Sequence, residues 1–543
     1  TLAAAEAVCA DAEVLHPDAI LDLLAQLVDK SLVIPFDGGG GVAQPTGAQE
    51  TRYRLLETIR QYARDRLHDA GSGAAVRDRH LTFFVTLAEA AEPHLRGAQQ
   101  VAWLDRLDAE LDNARLALEW ALATQIGPGL RLAAALFWFW HIRGHRNEGV
   151  DWLRQLLDAQ AQGADLAKRE HALIRGQALT VAGFLIQFQS RPDRAQAFLQ
   201  QAIACLSATG PAGRHWLGVA RLTSAKLIRD RAQRRAALEL AYPLLRESGD
   251  RLYLAEYTMD LGGLLTEEND TAAATAVFLE SLALREACQD LDGIGTACLA
   301  LGDLALFKHD FDECRRRYGR GLECYRVVKN RMMESILLSR LGQIDMLTGD
   351  MTQAASRFSA RIALSQKSGD RVSLTSSLFD LARLELNIGE SYRAGQRFAD
   401  IARIGVEIHS QEAVLVGLLF QGLAAREMND SVQVEAFAQQ AIAFWRAAGH
   451  GAFDPGFAGD CLDNLGVLLS GRQPDVAARL FNAIDARGFT RHELNTPREV
   501  ATYAAARAAV RAALGESRYA AITTTEPLTL EAAVAEALAV TMS

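Results

Sequence analysis

Apolar positions set the first elements of the chain. In "PDAILDLLAQLVDKSLVIPF" (17–36), Ile20, Leu23, Leu24, Leu27, Val28 and Leu32 keep helical spacing. Asp18 stands at the start, where a carboxylate favours the helix dipole. The pattern then changes: "SLVIPF" and "TRYRLLE" read as two strands flanking a Gly-rich tip, "DGGGGVAQPTG" (37–47), and "TIRQYARDRL" (58–67) reads as a helix. Helix, hairpin, helix is the outline of a winged helix, here without its first helix.

From about residue 171 the pattern acquires a period of forty. Gly262, Gly302, Gly342, Ala382 and Gly422 are spaced by that step, and the first four follow Leu261, Leu301, Leu341 and Leu381. Eight residues on come Asp270, Asp310, Asp350, Glu390 and Asp430, with Asp230 one step earlier. Eight further lie Phe278, Tyr318, Phe358 and Phe398, preceded by Phe198 and Leu238. Links fall at Asp250, Asp290, Asn330, Asp370 and Ser410, so seven windows tile 171–450. Each window predicts one helical hairpin: helix A with Leu-Gly, a turn of Gly-Asp or Asn-Asp that tolerates the left-handed conformation and caps the next helix, and helix B with a small residue and an aromatic on one face. A mid-helix glycine costs about 1 kcal/mol against Ala; the missing side chain lets helix B approach closely.

These residues resemble the tetratricopeptide repeat, which has Leu-Gly/Ala in helix A and Ala, then an aromatic, in helix B. The period here is longer than the family's roughly thirty-four, and the Pro that usually ends helix B is absent. Helix B is therefore expected to run about a turn longer, and Pro243, inside one such helix, to kink or shorten it. The resemblance implies a mostly α fold, a right-handed α-solenoid of helical hairpins with a small N-terminal winged-helix (α+β) module. The expected organisation is 1–70 partial winged helix, 71–170 helical bridge and atypical first hairpins, 171–450 seven repeats, and 451–543 a helical cap. The other face of helix A is expected to line a concave groove. Asp303, Ser339, Gln343, Phe379 and Arg383 are its candidate contacts, a mixed polar and aromatic set suited to a protein, peptide or small-molecule effector.

Composition narrows the function. The 543 residues are 49% hydrophobic and 23% charged, with 12 Pro, net charge −10 and pI about 5.7. An acidic chain is a poor duplex-DNA binder. The residues before the hairpin carry Asp11, Glu13, Asp18, Asp22 and Asp29 against Lys30, the reverse of what a recognition helix needs near phosphate, so direct DNA binding is not expected. Arg52, Arg54, Arg60, Arg64 and Arg66 form the one basic cluster, open to contact with an acidic neighbour or a nucleotide-binding domain, or to solvent alone. Seven Cys without a C-x-x-C fit reduced thiols and a cytoplasmic protein. The start lacks a signal peptide, and the most apolar run, "LRLAAALFWFWHI" (130–142), is too short to span a bilayer, so no membrane partner is expected. Trp138, Phe139, Trp140 and Trp152 are expected to form the core that joins the first helices to the repeats. A chain that opens at Thr without Met is expected to be a piece of a longer protein.

No catalytic set emerges. The Gly-rich tip has no Lys after Gly47 and fails as a phosphate loop. His141 and His145 are four apart but lack a third ligand, and Gly144 suggests that the helix is ending; His492-Glu493 sits before Pro497 without a partner. The expectation is a non-enzyme with no catalytic, cofactor-binding or metal residues in this chain.

"LLAQLVDKSLV", "TRYRLLETIRQYARDRL", "WLDRLDAELDNARLALEWAL" (103–122) and "FWHIRGHRNEGVDWLRQLL" (139–157) resemble the stretch that follows the ATPase core in bacterial signal-transduction ATPases with numerous domains, the STAND class. Many of these are AfsR-like or LuxR-type transcriptional regulators. "AARLFNAIDARGF" and "AARAAVRAALGESRYAAI" resemble their closing helices. The resemblance implies a sensor arm that relays effector binding to an upstream nucleotide-binding domain, with ATP or ADP bound only by that missing domain. The alternative is a free-standing tetratricopeptide scaffold for protein–protein interaction.

Overall fold

The structure is a computed structural model that describes residues 1–11, 15–36, 51–162, 169–189, 192–449, 451–486 and 495–540. The Gly-rich tip, Glu13 and His492-Glu493 lie outside the described residues. Contacts divide the chain into two compact units, Thr1–Ala305 with Arg320–Glu334, and Leu306–Gly319 with Ser335–Ser543. The described residues are overwhelmingly helical, with one two-stranded sheet.

In the first unit, the helix Asp18–Asp29 leads into strand Val33–Phe36, which pairs antiparallel with Arg52–Leu55, Val33 facing Leu55 and Phe36 facing Arg52; the helix Glu57–Asp69 follows. The predicted order holds. A further helix, Leu2–Cys9, capped by the Thr1 side chain, precedes it, where the sequence pattern leaves the first helix out. Arg52 is taken by buried Glu110 and by the Ala109 carbonyl at 2.8 Å, while Arg60 and Arg66 pair with Glu57 and Asp69 on their own helix. Trp138, Phe139 and Trp140 are buried as expected, and Trp138 lies 6.4 Å from the Tyr253 ring of the repeats. Trp152 is only half-buried.

The repeats show why the period is forty. Helices begin at Arg231, Arg251, Thr271, Leu291, Phe311, Arg331, Met351, Arg371, Ser391, Gln411 and Ser431, one every twenty residues. Each turn has one residue at positive φ: Gly249, Asn269, Gln289, His309, Lys329, Gly349, Gly369, Gly389, His409 and Asn429. The next residue caps the following helix. Asp270, Asp310, Asp350 and Asp430 each accept an amide hydrogen bond at 3.0 Å from the third residue on. Glu390, one methylene longer, makes no such bond. From Arg251 on, the two helices of a hairpin are nearly equal, 17 or 18 residues, so there the longer period is shared between them rather than added to helix B; in the hairpin before, the helix Arg214–Ala225 has 12 residues against 18 in Arg231–Ser248. Pro243 leaves the helix Arg231–Ser248 at 18 residues, as long as Thr271–Cys288. Pro243 and Glu239, the residue whose carbonyl loses its helical partner, are both exposed.

Within a hairpin, the small residue of helix A receives the aromatic of helix B. A Cβ on Gly262 would fall inside the contact distance of the Phe278 ring, and one on Gly342 inside that of Phe358. Both rings are buried. Gly319, mid-helix in Phe311–Val327, has no atom within 4 Å of where a Cβ would stand.

A buried charge network crosses the first unit. Arg96 and Arg285 both reach Glu256, at 3.1 and 2.9 Å, and both reach Asp290, at 3.4 and 3.3 Å. Arg96 also lies 4.0 Å over the Trp138 ring, and Gln100 donates to Asp290 at 3.1 Å. Burial opposes charge on Glu256, but Arg285, Lys226 and Arg96 outweigh it and hold the carboxyl well below the usual range. Asp292 is different. Burial pushes it up to about 6, and neighbouring Asp290 adds to the rise against a hydrogen bond from Asn330.

Two predictions follow from these contacts. Gly342→Ala forces the Phe358 ring to move and lowers stability by about 1–3 kcal/mol, whereas Gly319→Ala raises it by up to about 1 kcal/mol; urea titrations check the opposite signs. A carboxyl whose folded pKa is raised contributes stability below its unfolded pKa of about 3.9 and loses it as pH rises through about 6. Asp292→Asn therefore gains on the wild type by about 1–3 kcal/mol between pH 4 and pH 8, measured by denaturation at both pH values.

Candidate ligand cavity

The second unit encloses a cavity of about 600 Å³, within the range of small-ligand sites. Its floor comes from helix A of successive hairpins. Gln343 follows Gly342, Arg383 follows Ala382, and Leu423 follows Gly422, so one repeat position supplies three lining residues. Phe379 and Leu419 occupy the position one turn earlier in two of those helices. The close approach at the small residue buries one face of helix A against helix B and leaves this face to the cavity.

Three of the five candidate groove residues, Gln343, Phe379 and Arg383, line this space. Ser339 stands behind it, donating to Asp380 at 2.6 Å and accepting from Gln343 at 3.3 Å. Asp303 belongs to the first unit, on the exposed side of its helix. Phe379 packs edge-on against Phe420, with ring centroids 4.8 Å apart, and Phe420 in turn meets Phe398. Gln343 Oε1 is buried and has no hydrogen-bond partner.

The opposite wall comes from residues beyond the repeats. The helix Pro455–Leu469 contributes Phe457, Cys461 and Asn464, and the helix Pro497–Leu514 contributes Arg498, Glu499, Thr502 and Tyr503. Arg383 meets Glu499 through two parallel hydrogen bonds, Nε–Oε1 at 2.8 Å and Nη2–Oε2 at 2.9 Å. Burial opposes the Arg383 charge, but Glu499 outweighs it and the guanidinium pKa is raised. Glu499 also closes a capping box with Thr496, accepting from its amide at 2.8 Å. Arg498 reaches Glu427 at 2.9 Å and the Asn387 carbonyl at 3.1 Å, and Tyr503 donates to Asn464 at 2.6 Å. Arg383, a groove candidate from the sequence, is thus held by the chain's own C-terminal helix. The sequence does mark that helix, since "TPRE" (496–499) is a T-x-x-E box with Pro at the first position. It does not reveal which surface the helix covers.

The His141 and His145 pair makes no ligand set. Gly144 at φ +83° follows the end of that helix at Ile142, and Arg146 donates to His141 Nδ1 at 3.2 Å. Among the described residues no group of three His, Cys, Asp or Glu could hold a metal ion, and no helix is long and apolar enough to cross a membrane.

No family model matches the chain. It is 38% identical over 160 residues to Mycobacterium tuberculosis (strain H37Rv) and Mycobacterium bovis proteins named "Putative HTH-type transcriptional regulator" Rv0890c and Mb0914c. The match takes in 29% of this chain and only 17% of the length of those relatives. Among solved structures, a Pyrococcus horikoshii STAND protein with a tetratricopeptide repeat sensor aligns over 92% of this chain and 60% of its own, at 13% identity and TM-score 0.45. A Rap protein complexed with Competence and Sporulation Factor aligns over 72% of this chain and 99% of its own, at 10% identity and TM-score 0.43.

The clasp across the cavity has a measurable energy. In a double-mutant cycle of Arg383→Met and Glu499→Gln, with Gln keeping the capping box, the coupling is about 1–3 kcal/mol. Chemical denaturation of the four proteins measures it.

Proposed function

We propose that this chain is the sensor arm of a STAND-type signalling ATPase or transcriptional regulator. It binds a peptide, protein segment or small molecule in the cavity of the second unit and relays that event to an upstream nucleotide-binding domain. ATP or ADP belongs to that upstream domain. This chain contributes binding rather than catalysis, and it acts in the cytoplasm.

The observation that carries this reading is the construction of the cavity. The same repeat position supplies lining residues from three hairpins, and a helix from outside the repeats closes over them. A site assembled from two structural elements changes when they separate, which is what a relay requires. An effector shifts an equilibrium only by its unequal affinity for the two states. The identity to HTH-type proteins over 160 residues supports a regulatory setting.

The gene sequence upstream of the Thr1 codon tests the proposal. We expect a G-x-x-x-x-G-K-[ST] motif in the same reading frame within a few hundred codons. An initiator codon directly before Thr1, with no such motif, overturns the sensor-arm reading in favour of a free-standing scaffold.

A further inference from the structure

We infer that the cavity takes a small ligand without net charge: an apolar or aromatic body carrying a hydroxyl or amide N–H that donates to Gln343 Oε1. This deepens the proposed function and rests on the cavity being the effector site.

With one exception, the charged groups around the cavity are already engaged. Arg383 is paired with Glu499, and Arg498 with Glu427. Arg340, Asp460 and Asp463 each have interactions of their own, and Arg507 also approaches Asp463 at 3.8 Å. The exception, Glu412, is exposed in the first turn of the helix Gln411–Glu427, where water and the helix dipole serve it. A charged ligand therefore finds no counter-charge waiting inside. It gives up its water to enter, and nothing in the site returns that loss. A carboxylate has to displace Glu499 to reach Arg383, which two parallel hydrogen bonds oppose. An ammonium has to compete for acids already in use. A neutral ligand meets neither obstacle.

The donor on the ligand follows from a chain of hydrogen bonds behind the wall. The Ser339 hydroxyl has one proton and gives it to Asp380 at 2.6 Å, and the Asp380 carboxylate also pairs with Arg361. Ser339 can then only accept from Gln343, whose Nε2 donates to it at 3.3 Å. That order fixes which way the Gln343 amide points. Oε1 is the end left over, buried and without a hydrogen-bond partner among the described residues. Leaving a buried acceptor unpaired is costly, and Gln343 lines the cavity. A ligand hydroxyl or N–H completes the series Arg361, Asp380, Ser339, Gln343. The body of the ligand packs on Phe379, Leu386, Ile401, Leu419, Phe420 and Leu423, which supply apolar and aromatic lining.

The test uses the full 543-residue chain and four probes of similar shape in equilibrium dialysis: 2-naphthalenemethanol, its methyl ether, 2-naphthoate and 2-naphthalenemethylamine. The alcohol is expected to bind about tenfold or more tightly than the carboxylate or the amine. It is expected to bind about threefold or more tightly than the ether, which cannot donate. Gln343→Leu removes the difference between alcohol and ether and leaves ether binding within about twofold. Val416→Trp, which fills the cavity, abolishes binding of the alcohol; unchanged circular dichroism is the folding control for both variants. Carboxylate or amine binding as tight as that of the alcohol, blocked by Val416→Trp, overturns the inference and leaves the cavity as the site. Equal binding of alcohol and ether overturns the bond to Gln343. Alcohol binding that folded Val416→Trp leaves intact lies elsewhere and overturns the cavity as the site as well. Absence of binding by all four probes overturns the inference, whereas the sensor-arm reading is decided separately by the upstream motif.

Discussion

Helix A and helix B of a hairpin meet where a side chain is missing, and the rest of the array depends on that contact. Gly262 against Phe278 and Gly342 against Phe358 bring the two helices close along one stripe. The aromatic is buried, and helix A is left with a single free face. Only a helix pair of fixed length and register can repeat that contact without drift. The twenty-residue spacing of helix starts meets this condition, and turns with one left-handed residue followed by a cap keep it. Gln289, His309, Lys329 and His409 adopt the left-handed conformation although they are not glycine. Left-handed geometry costs an ordinary residue about 1–2 kcal/mol, so the turn is imposed by helix packing rather than chosen by local preference.

The first unit meets a different constraint. Arg96 and Arg285 are almost entirely buried, and no hydrophobic packing would compensate a buried guanidinium left unpaired. Glu256 and Asp290 answer both cations at once, and Arg96 adds the face of Trp138. The network joins Arg96 and Gln100, before the repeats, to residues of three repeat helices or their turns, so it fixes register between segments far apart in sequence. Asp292 lies beside the network without a cation of its own in contact, which is why it rises while Glu256 falls.

Much of the fold was legible because it repeats. A one-residue error in register at Gly302 would have been exposed at Gly262 and Gly342, and the Asp caps after each turn gave a second check. The single-copy features were harder. The helix Leu2–Cys9 has eight residues, all apolar or small except Glu6, so no polar stripe marks a face. Equal helix lengths could not be told from a longer helix B, because periodicity sets the sum and not its division. The effect of Pro243 depends on whether the freed carbonyl faces water, which is a property of packing. At the cavity, the helix A positions of Gln343, Phe379 and Arg383 followed from the repeat. Glu499 and Tyr503 did not, since nothing in a linear pattern says which surface a C-terminal helix will cover.

That covering helix changes what Arg383 means. In a bare repeat array, an arginine on the groove face is an open donor set for any ligand carboxylate. Here Glu499 already fills it in a bidentate pair, and the capping box holds Glu499 in place. The pair is a closed bond across the site, so a ligand that touched only repeat helices would leave it intact and shift nothing. A ligand that contacts both the repeats and the helix Pro497–Leu514 has unequal affinity for the closed and separated arrangements. On the proposed reading, an effector of this cavity is therefore a ligand that bridges its two walls, and Phe379 and Phe420 on the repeats face Thr502 and Tyr503 on the helix Pro497–Leu514 among the lining residues.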